Sequence, residues 1–486
     1  MKQLTGLDAS FLWMESPTSF GHVSSLVVYE RPDDDFSPYD AFRDQLESRL
    51  HLLEPFRRKL VQVPLGLDRP YWLNDPDFDL DFHVRHIAIP APGDMEQLSA
   101  QVARIISRPC DRSRPLWEAY VMEGLEGGDF AILTKVHHAT IDGASGVELL
   151  TTILDSSPEG DEIAADPGTW RPGSAPSDAE LIGRSMLNLV QQPGRFARVS
   201  FRAMRQVAEV TRNAGLSRMI DQTRQQLPRE LGGPRRAEHD PGPRVTAPPT
   251  PFNKSISPHR RLAMRSAPLA DIKALKGALG ATVNDVVMAV VAGALRTYLD
   301  KHDALPEQPL RAMVPVSIRT GAEDDPWTNR VSSIFANLPT HLEDPLERVA
   351  AVSMSMSAAK EQFDLGPAEA IVDMAQFALP AVAAQASQVA SQLRMGDRTN
   401  APVNVVISHV PGPRQPLYMG GAQMKHFYPV STIAEGVGLN VTVQSYLDTL
   451  DFGLVADRDL VPDLDDLLDL HLAEIDVLFD AAGLER

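Results

Sequence analysis

Apolar positions recur with two different periods along the chain, and the changes of period divide it into three blocks. In the first, about 1–155, the spacing predicts helices over 41–52 and 94–109, while the β-branched apolar runs "SSLVVYE", "LWEAYVMEGL" and "DFAILTKV" predict strands. The third, about 256–486, repeats the mixture. "ATVNDVVMAVVAGALRTYLDKH" predicts a long buried helix, and "RAMVPVSI", "VSSIFANL" and "VNVVISHV" predict strands. "VGLNVTVQSYLDTLDFGLVAD" predicts two strands joined by a tight turn, and Leu464, Leu467, Leu468, Leu472 and Ile475 fall at the spacing of a last helix. The expected fold class is α/β with mixed sheets.

The middle block, about 156–255, breaks the pattern. Two Pro/Gly-rich stretches, "SSPEGDEIAADPGTWRPGSAPSD" and "PRELGGPRRAEHDPGPRVTAPPTPF", read as linkers because proline and glycine interrupt both helix and sheet. Between them, 181–229 reads as helical and holds nine Arg against two acidic residues, a local charge of +7. Arg198, Arg202, Arg205 and Arg212 fall within about 80° of one another at helical pitch. Phe196, Val199, Ala203, Val207 and Val210 occupy a separate face. Such a helix suits an anionic membrane surface, or packs on the core and shows its arginines to solvent.

Bulk properties narrow the class. At 486 residues the chain suits two or three domains, and its net charge of -19 argues against nucleic acid as a partner. The lone Cys110 offers neither a disulfide framework nor a cysteine metal site, and reads as a packing residue. No secretory signal is visible in "MKQLTGLDAS", and no apolar run approaches the roughly 20 residues that span a bilayer. The expected location is cytoplasmic, with peripheral attachment to the inner membrane face or to lipid droplets as the alternative.

One stretch stands out chemically: "AILTKVHHATIDGASG", residues 131–146. Side chains alternate along a strand, so His138 shares a face with Ile132, Thr134 and Val136, while His137 points the other way. Only one of the pair reaches a given reaction centre. A metal site is not expected, since one His and one Asp are too few ligands. Two readings stand at this point. Asp142 caps a helix starting near Ala144 and the histidines are packed and hydrogen-bonded, or the pair carries chemistry.

Further segments follow in fixed order: "LDASFLWMESPTSFGHVSSLVVYE", "DRSRPLWEAYVMEGL", "ATVNDVVMAVVAGALRTYL", "VPVSIRT", "NRVSSIFANLPTHLEDPLERV", "NVVISHVPGP" and "FYPVSTIAEGVGLNVTVQSYLDTLDFGLVAD". With "HHATIDG" they make the chain resemble, over nearly its whole length, the bacterial wax ester synthase/diacylglycerol acyltransferase family. "HHATIDG" alone is shared with nonribosomal peptide condensation domains and other coenzyme A-dependent acyltransferases; the "PLW", "ND" and C-terminal segments are more specific. Two departures are visible. Ser408-His409-Val410-Pro411-Gly412-Pro413 stands where the family usually has Ser-Asn-Val-Pro-Gly-Pro, and "FGHVSS" where it usually has a segment close to Pro-Met-His-Val-Gly. Neither is expected to touch the histidine pair, so both bear on substrate preference rather than on catalysis.

The resemblance implies two domains of the chloramphenicol acetyltransferase type (about 1–155 and 256–486), a helical linker between them and a central tunnel. It implies transfer of a fatty acyl group from acyl-coenzyme A, a co-substrate, to diacylglycerol or a long-chain alcohol, with no cofactor and no metal. An alcohol is a poor nucleophile at neutral pH, and a neutral imidazole suits the removal of its proton. The family places that role on the second histidine, here His138, with direct transfer and no acyl-enzyme. His137 is expected to support its neighbour, Asp142 to form a structural ion pair with Arg57, and Gly143 to allow a tight turn. Pro115, Leu116 and Trp117 line the tunnel or form a turn into a core strand. Asn284 and Asp285 meet substrate, or serve the Thr282-x-x-Asp285 cap. Ser431 is a candidate donor to the oxyanion. No glycine-rich phosphate loop is visible, so coenzyme A contacts stay unassigned. Two other readings stand beside this one: a related acyltransferase for a polyketide or sugar-lipid acceptor, and a catalytically silent lipid-binding or droplet-coating protein.

Overall fold

The computed structural model describes residues 1–141, 143–166, 168, 170–188, 246–317, 331–365 and 387–486. Two six-stranded mixed sheets organise them. The first runs β12-β13-β2-β7-β6-β5, built from β2 (His22–Tyr29), β5 (Val84–Ala88), β6 (Trp117–Glu123), β7 (Phe130–His137), β12 (Tyr418–Met419) and β13 (Ala422–Val430). The second runs β10-β9-β11-β14-β15-β8, built from β8 (Arg260–Pro268), β9 (Leu310–Ser317), β10 (Val331–Leu338), β11 (Val405–Val410), β14 (Leu439–Tyr446) and β15 (Thr449–Asp457). A small sheet, β1-β4-β3, joins β1 (Lys2–Gln3), β4 (Tyr71–Asn74) and β3 (Arg58–Val61).

The sheets do not divide where the sequence blocks do. β12 and β13 come from the third block yet complete the first sheet, with Tyr428 opposite Leu26 across β13 and β2. Without β13, β2 would present an open row of backbone donors and acceptors. Glycine makes the crossing possible, since a Cβ built on Gly453 of β15 would lie 1.8 Å from the Pro429 carbonyl oxygen of β13.

Period explains the rest. Along β7, Ile132 and Val136 pack with Phe42 and Leu46 of the helix Pro38–Arg49 and with Leu149, Leu150 and Ile153 of the helix Gly143–Ile153. Ala131 and Leu133 face the other way, toward Leu98 and Val102 of the helix Met95–Ile106. That second cluster also takes in Leu262, Met264 and Val455 of the second sheet, so one apolar core joins both halves of the chain.

In the second half the helix Val283–Lys301 is buried on every side from Val286 to Leu295, as an apolar circumference requires. Leu464, Leu467, Leu468 and Ile475 of the helix Leu464–Ala481 complete that core, with Leu472 at its edge. Gly293 admits the Glu474 carboxylate, which a Cβ there would meet at 2.0 Å, and Glu474 pairs with the buried Arg348 at 2.5 Å. Among the described residues no single helix is long and apolar enough to cross a membrane. The basic face at 195–213 lies outside the described residues.

Candidate active site

β7 lies between β2 and β6, so the chain emerging from its end is gripped from both sides. His137 pairs with His22 of β2, and its amide donates to the Leu116 carbonyl at 2.9 Å. The His138 amide donates to the Gly21 carbonyl at 2.7 Å, and Thr140 N turns back to the His137 carbonyl at 2.8 Å. Both histidine backbones are thereby fixed before any side-chain contact is counted.

The two rings have different surroundings. His137 is 1% exposed. Its Nδ1 accepts the Ala139 amide at 3.0 Å, which places the proton of the neutral ring on Nε2. That nitrogen lies 3.3 Å from Glu15 Oε1, an electrostatic contact whose direction is off the hydrogen-bond axis. With one nitrogen occupied by an amide and the other turned to a carboxylate, His137 has no lone pair to offer a substrate. His138 is half-buried and stacks on Phe11, with ring centres 4.6 Å apart and planes 13° from parallel. It is the less buried histidine of the pair.

Glu15 organises the surroundings of His137. Its Oε1 accepts the Gly21 amide at 2.8 Å and its Oε2 the Arg112 Nε at 3.1 Å, while Arg112 also donates to the Leu12 carbonyl at 2.8 Å. Burial works to raise the Glu15 pKa, but the contact with His137, the Arg112 charge and the Gly21 amide hold it down to about 2. The helix Gly6–Trp13 and the loop after it are thus tied to the end of β7 by a charged network.

Gly21 corrects an expectation. The departure at "FGHVSS" does touch the histidine pair: a Cβ on Gly21 would lie 2.6 Å from His137 Nε2, and its carbonyl holds His138. The next residue, His22, is 4% exposed, with Nε2 3.0 Å from the Ile106 carbonyl oxygen, and burial pushes its pKa well below the usual value. A ring so enclosed is neutral and structural.

The other candidate residues separate. Leu116 is fully buried and Trp117 is 1% exposed, its indole N–H donating to the Phe56 carbonyl at 2.9 Å and its ring stacked on Phe56 and His83. Pro115 bridges Lys59 of β3. All three are packed against other parts of the protein. Thr282 and Asp285 form the reciprocal cap, with Asp285 N to Thr282 Oγ1 at 3.1 Å and Thr282 N to Asp285 Oδ2 at 3.0 Å. Asn284, half-buried, stands outside that cap. Ser431 Oγ accepts Asn440 Nδ2 at 3.2 Å, which leaves its O–H to donate elsewhere. Its neighbour Thr432 donates to the Phe20 carbonyl at 2.8 Å, so this loop reaches the residues that hold the histidines.

Asp142 lies outside the described residues, and the ion pair expected for it with Arg57 lies there too. The Arg57 guanidinium sits 5.1 Å from the ring centre of Trp170. Gly143 is the first residue of the helix Gly143–Ile153. His409, in the second departure, sits on β11 opposite Val443, and burial lowers its pKa. Among the described residues, no group of three or more His, Cys, Asp or Glu side chains could hold a metal ion.

Glu15, Arg112, Gly21 and Phe11 escaped the reading of the sequence. The available signal was a single carboxylate in the otherwise uncharged run "FLWMESPTSFG". Its partner lies 122 positions further on, a pairing that only the β2–β7 register creates.

Comparison with known proteins gives a consistent result. The model of the wax ester synthase/diacylglycerol acyltransferase catalytic domain matches residues 4–287, and that of the WS/DGAT C-terminal domain matches residues 327–478. A Mycobacterium tuberculosis protein bearing the name diacylglycerol O-acyltransferase is 34% identical over 489 residues, covering 99% of this chain and 98% of its own. Another from the same organism is 36% identical over 484 residues, covering 99% and 100%. The solved wax ester synthase/diacylglycerol acyltransferase from Marinobacter aquaeolei VT8 superposes with a TM-score of 0.68 at 31% identity, over 100% of both chains. The first condensation domain of the CDA synthetase has a TM-score of 0.55 at 17% identity over 99% of this chain and 96% of its own, a likeness of fold alone.

Proposed function

Since the chain belongs to the wax ester synthase/diacylglycerol acyltransferase family and is an acyl-coenzyme A-dependent acyltransferase, we propose that it esterifies diacylglycerol, and as a second acceptor class a long-chain alcohol, with His138 as general base. The observation that carries the assignment is the contrast within the pair. His137 is enclosed, its Nδ1 hydrogen-bonded to the Ala139 amide and its Nε2 turned to Glu15, whereas His138 is the more exposed of the two.

In the proposed reaction the acceptor hydroxyl oxygen attacks the thioester carbonyl carbon as its proton passes to the imidazole of His138. The tetrahedral oxyanion collapses, the carbon–sulfur bond breaks, and the imidazolium returns the proton to the thiolate. An ester and free coenzyme A result, with no acyl-enzyme. The free O–H of Ser431, on the loop that meets Phe20, supports a role as oxyanion donor. Acyl donor and acceptor approach His138 from opposite ends of a tunnel between the two halves. Acceptor and product are apolar lipids, which supports work at a cytoplasmic membrane or droplet surface.

The test is transfer from radiolabelled palmitoyl-coenzyme A to dioleoylglycerol and to hexadecanol, offered separately. Loss of a general base is worth typically 10²–10⁴-fold, and His138→Ala is expected to lose about that much. Turnover unchanged in His138→Ala removes it as the base; no ester with either acceptor sinks the reading.

A further inference from the structure

Two segments that meet the loop beside the histidines also frame a cavity. The chain after β13 takes Thr432 to the Phe20 carbonyl and continues to Glu435 and Gly436. The helical residues 387–392 bring Ser391 Oγ to 2.9 Å from Thr18 Oγ1 and let Ser387 donate to the Met14 carbonyl at 2.9 Å. The chain then turns at Arg394, in the left-handed conformation (φ 49), into Met395–Asp397. Residues from 247 to 254 and from 394 to 401 line a cavity of about 520 Å³, with Thr250, Asn253, Lys254, Arg394, Asp397 and Arg398 on its walls; Glu435 and Gly436 back it through Ser255, Gly396 and Asn253. That volume is in the range of small-molecule sites.

Its frame is rigid. Asn253 Nδ2 donates to the carbonyls of Val403, Asn404 and Gly436. Glu435 Oε1 accepts Ser255 Oγ at 2.6 Å and the Gly396 amide at 3.2 Å. Its charge is distinctive in a chain of -19. Arg394 is paired with Asp397 at 2.6 Å, and Asp397 also accepts the Ser255 amide at 3.0 Å. Lys254 and Arg398, both exposed, make no ion pair within 4 Å and no side-chain hydrogen bond among the described residues, and the Lys254 charge acts at longer range on Asp397. Two cations are therefore available beside amide and hydroxyl groups.

A short stretch of chain joins the wall of the cavity to the loop beside the histidines. From Gly436, whose carbonyl accepts Asn253 Nδ2 behind the cavity wall, to Thr432, on Phe20, is four residues, at most about 14 Å of extended chain. Phe20 adjoins Gly21, whose carbonyl holds His138.

We propose that this cavity receives the phosphate-bearing nucleotide end of acyl-coenzyme A, with Lys254 and Arg398 on its phosphates. The proposal rests on the acyltransferase reading above and supplies the anchor for the end of the thioester that does not react. Anchoring a remote group converts binding energy into orientation of the reacting carbonyl.

The experiment compares the full-length chain with Lys254→Glu/Arg398→Glu. Lys273→Glu/Lys276→Glu, on exposed positions of the helix Leu269–Leu279, makes the same charge change elsewhere. Calorimetric titration with free coenzyme A reads the nucleotide site without turnover. KM for palmitoyl-coenzyme A and for palmitoyl-pantetheine, which lacks the nucleotide, reads it during transfer. Charged hydrogen bonds of this kind justify an expected loss of about tenfold or more in coenzyme A affinity, with a matching rise in KM. The pantetheine thioester and the control pair are expected to stay unchanged. Coenzyme A bound equally by wild type and cavity variant, with transfer intact, overturns the cavity and leaves the acyltransferase reading standing. Equal losses in the cavity and control pairs overturn it as a general field effect. Coenzyme A binding lost only in the cavity variant, with no ester formed by any form, supports the cavity and sinks the transfer reading. A wild type that neither binds coenzyme A nor forms ester overturns both.

Discussion

Gly21 leaves the space into which His137 fits: a Cβ added there would stand 2.6 Å from His137 Nε2 and 2.9 Å from the Phe11 carbonyl oxygen. One of these obstacles is backbone and the other is a ring held at its second nitrogen by Ala139, so neither yields cheaply.

Gly21→Ala is therefore expected to displace His137 and the strand end that carries His138. Overpacking of this kind costs about 1–3 kcal/mol, and transfer is expected to fall at least about tenfold through misplacement of the base. Urea unfolding and kcat with palmitoyl-coenzyme A read the two effects. Wild-type turnover in Gly21→Ala would show that the His137 position has no bearing on catalysis.

Glu15 supplies a pH dependence. Its pKa is held near 2 against 4.5 for the free group, so the folded state binds fewer protons than the unfolded chain between these values. The stabilisation is complete above about 4.5 and is lost as pH falls toward 2; a shift of this size corresponds to about 3 kcal/mol. Glu15→Gln is expected to be less stable at pH 7 and to lose less on acidification. Parallel slopes for the two proteins between pH 5 and 3 would remove Glu15 from the acid response.

A third expectation concerns Gln444, which is 3% exposed and whose Nε2 has no hydrogen-bond partner among the described residues. A buried orphan donor costs about 1–3 kcal/mol, so Gln444→Leu is expected to raise stability by about that amount. Thermal unfolding reads it. A destabilised Gln444→Leu would mean that a bound water or substrate oxygen satisfies the amide.

In the second half, Glu474→Ala is expected to cost about 3–5 kcal/mol, because it strands the Arg348 guanidinium in the core. The pair lies among the helices rather than at the histidines, so activity per folded molecule is expected to hold. Loss of kcat in material that unfolds like wild type would place the pair in the catalytic machinery.

Much of this was legible along the chain. The strand ending in His137, the buried helix Val283–Lys301, its Thr282–Asp285 cap and the β14–β15 hairpin all follow local periods and local hydrogen-bonding rules. Family membership was legible too, because its segments recur in order. The exchange of β13 into the first sheet was not, since strand patterns carry no record of which edge they will cover. Nor was the packing of "PLW", whose apolar composition gives no record of Phe56, His83 and Lys59 as its partners.

The sequence by itself determined the elements, the family and the pair of histidines from which a base must come. Only the tertiary structure decided which histidine is enclosed, because that depends on the Glu15–Gly21 loop reaching one ring while Arg112, from a separate segment, holds Glu15 in place. Local propensity acts over a few residues. The environment that sets a ring's tautomer, charge and access is made of contacts across more than a hundred, and these exist only once the sheet has closed around β7.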